Sequence, residues 1–261
     1  MRLTPRQHHY LQALGIEVYR VRRTEDREQG TGNRGQATGG RDVGMFASGG
    51  EKSAVGSAGI HVASSVDREI GMQFDREGWE ALQRKVAGCR LCQLHEGRTQ
   101  AVFGAGNVNA DWMLIGEAPG AEEDRRGEPF VGRAGKLLDA MLQAVGLTRE
   151  QVFIANILKC RPPNNRDPRP EEVLACENYL EQQINTVKPR LILALGRVAA
   201  QNLLKAETPI GKMRGKRYHY GDPPVPVVVT YHPAYLLRAP REKKKSWQDL
   251  QLAMTIYKEQ S

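Results

Sequence analysis

Cysteines are the side chains of this chain whose spacing most directly suggests chemistry. The sequence contains four of them, and the first two, Cys89 and Cys92, form a C-x2-C pair. Cys160 and Cys176 follow far downstream, with fifteen residues between them. A C-x2-C pair in a cytosolic protein favours metal or redox chemistry over packing, and four thiolates from dispersed segments suit a [4Fe–4S] cluster. A zinc site and four unrelated buried thiols are the alternatives that the spacing leaves open.

Polar residues also stand where apolar runs end. The runs end in "GEAPG" (116–120), in Asn156 of "IANIL" and in His232 of "TYHPAYLLR". In open parallel sheets, binding sites form beyond the carboxyl ends of the strands. The three ends therefore predict a shared site. An Asn that caps a turn and a structural His are the ordinary roles of these residues taken singly.

The elements that must position these residues alternate between apolar strands and amphipathic helices. Strands are predicted in 111–120, 151–160, 190–196 and 225–230, the last running into a loop. Helices are predicted in 74–89, 134–147, 169–187, 197–206 and 246–260. Apolar strands that alternate with helices indicate a parallel sheet covered on both faces. The sequence therefore predicts an α/β fold with a mainly four-stranded parallel sheet.

Composition divides the chain into three regions. Residues 1–23 contain an amphipathic segment, and residues 24–71 are poor in large apolar side chains. Ten of the thirty residues from 30 to 59 are glycine. Such a segment cannot bury enough apolar surface to offset its chain entropy, so we expect 24–71 to be a flexible, disordered linker. The folded domain is expected to cover 72–261.

Charge and hydropathy suggest the compartment and the class of partner. The net charge of +8 and the isoelectric point of 9.4 fit an anionic partner such as nucleic acid. No apolar run reaches the roughly 20 residues that a membrane helix needs. The N-terminal residues lack the apolar stretch of a secretory signal. We therefore expect a cytoplasmic protein without a membrane segment.

Taken together, the motifs resemble those of the family 4 uracil-DNA glycosylases. The resemblance rests on residues 116–142, 156–176 and 231–238, with the C-x2-C pair ahead of them. It implies a three-layer α/β/α sandwich, in agreement with the alternating pattern. It also implies a [4Fe–4S] cluster whose ligands correspond to Cys89, Cys92, Cys160 and Cys176. The cluster's expected role is structural.

The resemblance also implies the residues that enclose an extruded uracil. Phe130 corresponds to the family's stacking aromatic side chain, and Asn156 to the amide that pairs with uracil O4 and N3–H. His232 corresponds to the residue that stabilises negative charge on uracil O2. The backbone of Gly116, Glu117 and Ala118 approaches the base and the sugar. Glu117 and His232 are the expected catalytic residues.

The loop 116–120 departs from the best-known pattern of the superfamily. Ala118 stands where that pattern has an Asp that positions water, and Gly120 where it has a Tyr that excludes thymine. Glu122, Glu123 and Asp124 follow, and they are either water-handling groups or a solvated acidic loop. The residue that positions the water is therefore not assigned by the resemblance.

The segment after His232 is expected to lie against DNA. Leu236 or Leu237 can enter the space that the flipped nucleotide leaves, since wedging side chains unstack a duplex at a cost of a few kcal/mol. Arg238 can contact a phosphate. Lys212 and Arg214, in "KMRGKRYHY", are expected to contact the DNA backbone, with a solvated surface as the alternative.

Residues 1–23 weakly resemble the N-terminal peptide of the psi subunit of DNA polymerase III, which docks on the chi subunit. The matching features are "LQALGI", flanking aromatic residues and following basic residues. A short apolar motif on a flexible tether suits peptide docking. An N-terminal helix packed on the protein's own domain is the alternative.

The sequence therefore predicts a monofunctional uracil-DNA glycosylase of base-excision repair, expected to be a monomer. It lacks an obvious lyase lysine, so the expected product is an abasic site. The rival hypothesis is an inactive Fe–S protein of the same fold that binds DNA or serves as a replisome adaptor. Retention of Phe130, Asn156 and His232 together favours the enzyme.

Overall fold

A computed structural model describes residues 75–260, which belong to one compact unit. The docking peptide 1–23 and the linker 24–71 of the sequence analysis lie outside these residues. The helices are α1 (Arg76–Ala87), α2 (Leu94–Gly97), α3 (Ala121–Arg126), α4 (Arg133–Ala144), α5 (Pro170–Val187), α6 (Arg197–Leu204), α7 (Ile210–Met213), α8 (Pro233–Arg238) and α9 (Lys243–Lys258). The strands are β1 (Ala105–Gly106), β2 (Trp112–Gly116), β3 (Val152–Asn156), β4 (Leu191–Leu195), β5 (Arg217–Tyr220) and β6 (Val225–Thr230).

The strands form one six-stranded sheet in the order β1-β3-β2-β4-β6-β5. Strands β3, β2, β4 and β6 pair in parallel, as the sequence predicts. Strands β1 and β5 add antiparallel edges. The sequence analysis missed both, because β1 has only two residues and β5 is the polar segment "RYHY".

The predicted three-layer sandwich is confirmed by the two apolar cores of the sheet. On β2, Trp112 and Leu114 face one core while Met113 and Ile115 face the other, as the two-residue period of a strand requires. Helices α4, α8 and α9 cover the first face. Helices α1, α5 and α6 cover the second. Each buried aliphatic or aromatic side chain contributes about 1.5–3 kcal/mol to this packing.

The segment after β6 is the short helix α8, where the sequence analysis predicted a loop. Pro233 occupies its first position, where a fixed φ and a missing N–H are no disadvantage. His232 is the N-cap, and its ring Nδ1 accepts a hydrogen bond from the backbone N–H of Ala234 at 3.1 Å. Ser, Thr, Asp and Asn are the usual N-cap residues, so a capping His was not expected from the sequence.

The parallel strands bring the predicted site residues to one edge of the sheet. Gly116 at the end of β2 is paired with Asn156 at the end of β3, and Leu195 is paired with Thr230. Gly196 follows Leu195 with φ +96°, and a Cβ atom there would lie 2.9 Å from Cβ of His232. A glycine therefore allows the loop after β4 to approach His232. Within residues 75–260, no helix is long and apolar enough to cross a membrane.

Candidate active site

Gly116, Phe130 and Asn156 converge beside the ends of β2 and β3, and we refer to this place as the candidate pocket. A Cβ atom added to Gly116 would lie 2.7 Å from Cζ of Phe130 and would also meet Oδ1 of Asn156. A side chain at this position would therefore displace the ring of Phe130 or the amide of Asn156. Asn156 is 2% exposed, and its Oδ1 has no hydrogen-bond partner among the residues that the structure describes. A buried acceptor without a partner costs about 1–3 kcal/mol, which a ligand that donates to it would recover.

His232 lies next to Phe130 at the candidate pocket. Its ring centroid lies 5.4 Å from that of Phe130, with 31° between the ring planes. The pKa of His232 is lowered to about 4, chiefly by burial and also by the charge of Arg238, while Glu123 opposes the shift. The imidazole is therefore neutral near pH 7. Because Nδ1 accepts from the N–H of Ala234, the proton is on Nε2, which is left as a donor.

The loop at 116–120 continues the parallel pairing of β2 and β3 beyond the strands. The N–H groups of Ile157 and Leu158 donate to the carbonyl oxygens of Gly116 and Glu117, at 2.9 and 3.0 Å. The Glu117 side chain is partly buried. Desolvation raises its pKa, Asp167 adds to the rise, and Arg197 opposes it.

Asp167 and Arg197 form an ion pair beside Glu117. The sequence analysis did not single out either residue. Asp167 lies in the long loop before α5 and Arg197 is the first residue of α6. Their sequence separation hides the pair, but the position of Arg197 directly after a strand end was a usable signal.

The acidic residues that follow this loop, Glu122, Glu123 and Asp124, form hydrogen bonds or ion pairs with other groups of the protein. Glu123 accepts hydrogen bonds from the N–H groups of Gly120, Val131 and Gly132. Asp124 is 5% exposed and accepts from the N–H of Thr99 at 2.9 Å. Glu122 pairs with Arg125 at the surface. These contacts favour structural roles for the three acids over water handling.

The four cysteines meet next to this loop. Cys160 and Cys176 are buried in an apolar cluster with Leu94 and Leu158, and Cys92 packs against it. Cys89 is electrostatically coupled to Cys160, which places it in the same group. Ala118 also packs against this cluster, so the loop at 116–120 lies between the cysteines and the pocket.

Arg98 joins the first cysteine pair to the second. Its guanidinium donates to Sγ of Cys160 at 2.9 Å and to the carbonyl oxygen of Cys89 at 3.0 Å. Burial raises the pKa of Cys160, and the hydrogen bond from Arg98 opposes this rise. Burial also raises the pKa of Cys176 to about 11. A cationic partner is therefore needed to hold these sulfurs as thiolates.

Lys159 links the segment of Cys160 to Asn156. Its ammonium, on a residue 1% exposed, donates to the carbonyl oxygen of Asn156 at 2.8 Å and to Oε1 of Gln183 at 2.6 Å. Burial lowers the pKa of Lys159 to about 7, and the nearby Cys176 opposes this shift. Asn156 and Cys160 thus belong to one tightly held segment of chain.

The residues expected to contact DNA are placed differently from one another. Leu236 is 1% exposed and belongs to the core, so it is not free to enter a duplex. Leu237 is 37% exposed, which leaves it as the candidate wedge. Arg238 is exposed, and it is the cation that lowers the pKa of His232, so it lies close to the pocket.

Arg214 and Lys212 are placed differently from each other. Arg214 donates to Oδ2 of the buried Asp249 at 2.7 Å and lies over the ring of Tyr231 at 4.5 Å. These contacts give Arg214 a structural role in place of the expected DNA contact. Lys212 is exposed on α7, so its side chain is accessible to a phosphate.

Comparisons with known proteins show the family to which the chain is similar. The family model described as "Uracil DNA glycosylase superfamily" matches residues 103–251. The chain is 48% identical to the type-4 uracil-DNA glycosylase of Archaeoglobus fulgidus over 176 residues, which is 65% of this chain and 88% of that protein. It is 44% identical to the type-4 uracil-DNA glycosylase of Thermotoga maritima, over 64% of this chain and 87% of that protein. The type-5 uracil-DNA glycosylase of Thermus thermophilus is 32% identical, over 48% of this chain and 71% of that protein.

Proposed function

Because this chain belongs to the uracil-DNA glycosylase superfamily, and within it to the type-4 enzymes, we propose that it flips uracil out of DNA and hydrolyses the N-glycosidic bond. The product is an abasic site, and the strand stays intact. The observation that carries this proposal is the buried, unpartnered Oδ1 of Asn156, which lies with Phe130 beside Gly116, while the ring of His232 packs next to that of Phe130.

Asn156 and Phe130 recognise the base. The base leaves the stack because its reacting atoms are inaccessible within a duplex. Its ring lies on Phe130, Oδ1 of Asn156 accepts from N3–H, and the amide nitrogen donates to O4. Cytosine carries the opposite pattern at these two positions, so it would leave the amide unpaired. Sites built around such hydrogen bonds strongly reject analogues that cannot form them.

His232 stabilises the leaving group. When the C1′–N1 bond breaks, the electron pair stays on uracil and negative charge develops at O2. The Nε2–H group of the neutral imidazole donates to that oxygen, with its orientation fixed by the N–H of Ala234. Such preorganised donors typically contribute a factor of about 10²–10³ to the rate.

Glu117 acts on the attacking water. Its partly buried carboxyl group, beside the Asp167–Arg197 pair, orients the water whose oxygen forms the new bond to C1′. General-base assistance of this kind is worth about 10²–10⁴-fold. Leu237 fills the gap in the duplex, while Arg238 and Lys212 contact phosphates.

The proposed cofactor is a [4Fe–4S] cluster held by Cys89, Cys92, Cys160 and Cys176. The donor set, its apolar surroundings and the hydrogen bond from Arg98 to Cys160 fit such a group. Within residues 75–260, no group of three or more metal-binding side chains surrounds a single ion position. The bound cluster would tie the segment after α1 to β3 and α5.

We also propose a cytoplasmic, monomeric enzyme that docks on the chi subunit of the polymerase III clamp loader through residues 1–23. This partner rests on the sequence pattern alone, because those residues lie outside the described structure. Binding of purified chi to the full chain, compared with a chain lacking residues 1–23, tests it.

Uracil release from oligonucleotides tests the main proposal. The wild type is expected to release uracil, and heat in alkali then cleaves the strand at the abasic site. Asn156→Ala is expected to lower kcat/KM about 10- to 100-fold, since it removes hydrogen bonds worth about 1–3 kcal/mol. Wild-type protein that carries its cluster and binds DNA but releases no uracil would instead support the inactive adaptor.

The protonation of His232 is a separate prediction. Its imidazole is expected to titrate near pH 4, against about 6.5 for an ordinary His. Because the folded pKa is lowered, the unfolded chain binds the proton first, so the contribution to stability is complete above pH 6.5 and falls as the pH drops towards 4. NMR titration of the ring protons, assigned with His232→Asn, measures this. A midpoint at or above 6.5 would contradict the neutral-donor mechanism.

A further inference from the structure

Arg149 holds the backbone of the segment that carries Phe130. It lies on a short 3-10 helix, Arg149–Gln151, directly before β3. Its guanidinium donates to the carbonyl oxygen of Phe130 at 3.2 Å and also to that of Pro129. Asp139, on α4, pairs with the same guanidinium at 3.2 Å. The side chain of Arg149 is 23% exposed, so these contacts are largely shielded from solvent.

The backbone at Phe130 needs such support. Phe130 has φ +55°, a left-handed conformation that costs a residue with a side chain free energy. The start of α4 packs closely against the same peptide group. A Cβ atom added to Gly135 would overlap the carbonyl group of Phe130, so this close packing requires glycine. This conformation directs the ring towards Gly116 and His232. The position of the stacking ring therefore depends on a strained peptide.

Two opposite charges hold three consecutive peptide groups of this segment, from residue 129 to residue 132. The guanidinium of Arg149 binds the carbonyl groups of residues 129 and 130. The carboxylate of Glu123 accepts from the N–H groups of residues 131 and 132, at 2.9 and 3.0 Å. Each charge matches the polarity of the groups it binds, and hydrogen bonds to charged groups are stronger than neutral ones. Arg149 and Glu123 thus hold the backbone on both sides of Phe130.

We propose that Arg149 is a positioning residue of this enzyme, which sets the ring of Phe130 for stacking on the extruded base. The inference rests on the proposed function, since it assigns a task within the same pocket. Arg149 acts through Phe130, because it binds the backbone of that residue and its guanidinium is engaged by Pro129, Phe130 and Asp139. The planar fork of Arg suits two adjacent carbonyl groups, whereas Lys would offer a single donor centre.

A double-mutant cycle under single-turnover conditions tests this inference. Arg149→Ala is expected to lower the rate of uracil release about tenfold, and Phe130→Ala to lower it by at least as much. In the Phe130→Ala background, Arg149→Ala is expected to lower the rate by less than twofold, because residues that act through one contact are not additive. Millimolar guanidinium is expected to restore part of the rate of Arg149→Ala and none of that of Phe130→Ala.

Controls separate positioning from a general loss of stability. Arg76→Met, at a highly exposed site on α1, is expected to release uracil at the wild-type rate. If Arg149→Ala does not fold, Arg149→Lys replaces it, with an expected rate between those of the wild type and Phe130→Ala. Additive rate losses, or an Arg149 variant within twofold of the wild type, would overturn the inference. Absence of uracil release by the wild type would reject the proposed function itself.

Discussion

Replacing His232 with Asn is expected to lower the single-turnover rate of uracil release by about 10²- to 10³-fold. The substitution removes the Nε2–H donor that stabilises charge on uracil O2. It keeps the start of α8, because Asn is a good N-cap residue and its Oδ1 can accept from the N–H of Ala234. Rates with saturating enzyme measure the effect on the chemical step.

The cap-preserving design makes this result specific to catalysis. His232→Ala is expected to lose both the donor and the cap, which adds about 1 kcal/mol of destabilisation. His232→Asn should therefore melt close to the wild type while sharing the low rate of His232→Ala. A His232→Asn enzyme with an undiminished rate would show that leaving-group stabilisation comes from elsewhere.

Replacing Cys176 with Ser is expected to remove iron from the protein and to abolish uracil release. Because metal binding contributes to folding free energy, we expect Tm to fall by about 10 °C or more, at about 2–4 °C per kcal/mol for a domain of this size. Iron, zinc and sulfide analysis of the purified protein, with melting curves, measures both effects.

The control lies on the same helix. Leu174 is 72% exposed on α5, so Leu174→Ser makes a surface change two residues from the cysteine. This variant should keep its iron, its Tm and its activity. Wild-type protein that contains zinc and no iron would overturn the cofactor assignment, and an active, iron-loaded Cys176→Ser would remove that residue from the ligand set.

The sheet was predictable where the sequence is apolar. The core of β4, "LILAL", is buried along its whole length and reads as a strand without help from its surroundings. Strand β5 is partly exposed and pairs with β6, and its tyrosines pack against the second core, so its local composition does not predict a strand. Helix α8 was missed because its cap is a histidine, whose capping depends on the geometry of the folded loop.

The sequence predicts that residues at the strand ends lie near one another, but it does not predict the side chains that support them. Gly116, Asn156 and His232 follow apolar runs; β2 and β3 place Gly116 beside Asn156, and β4 and β6 place Gly196 beside His232. Arg149 is separated from Phe130 by nineteen residues and Arg98 from Cys160 by sixty-two. Such partners are set by the tertiary fold, so a single sequence gives no sign of them.

Burial also separated residues that the sequence presents as equivalent. Leu236 and Leu237 are adjacent and chemically identical, yet one lies in the core and the other at the surface. The direction of each side chain on α8 decides this, and the helix itself was not predicted.

The folded-back side chain of Lys159 has a consequence for how this protein would fail. Asn156 and Cys160 belong to one segment of five residues. The ammonium of Lys159 binds the carbonyl oxygen of Asn156 and the side chain of Gln183. Oxidation of Cys160 would therefore also displace Asn156, through the shared backbone and through Lys159. We expect a protein oxidised at this thiol to lose uracil release, because the proposed base contact would be lost with it.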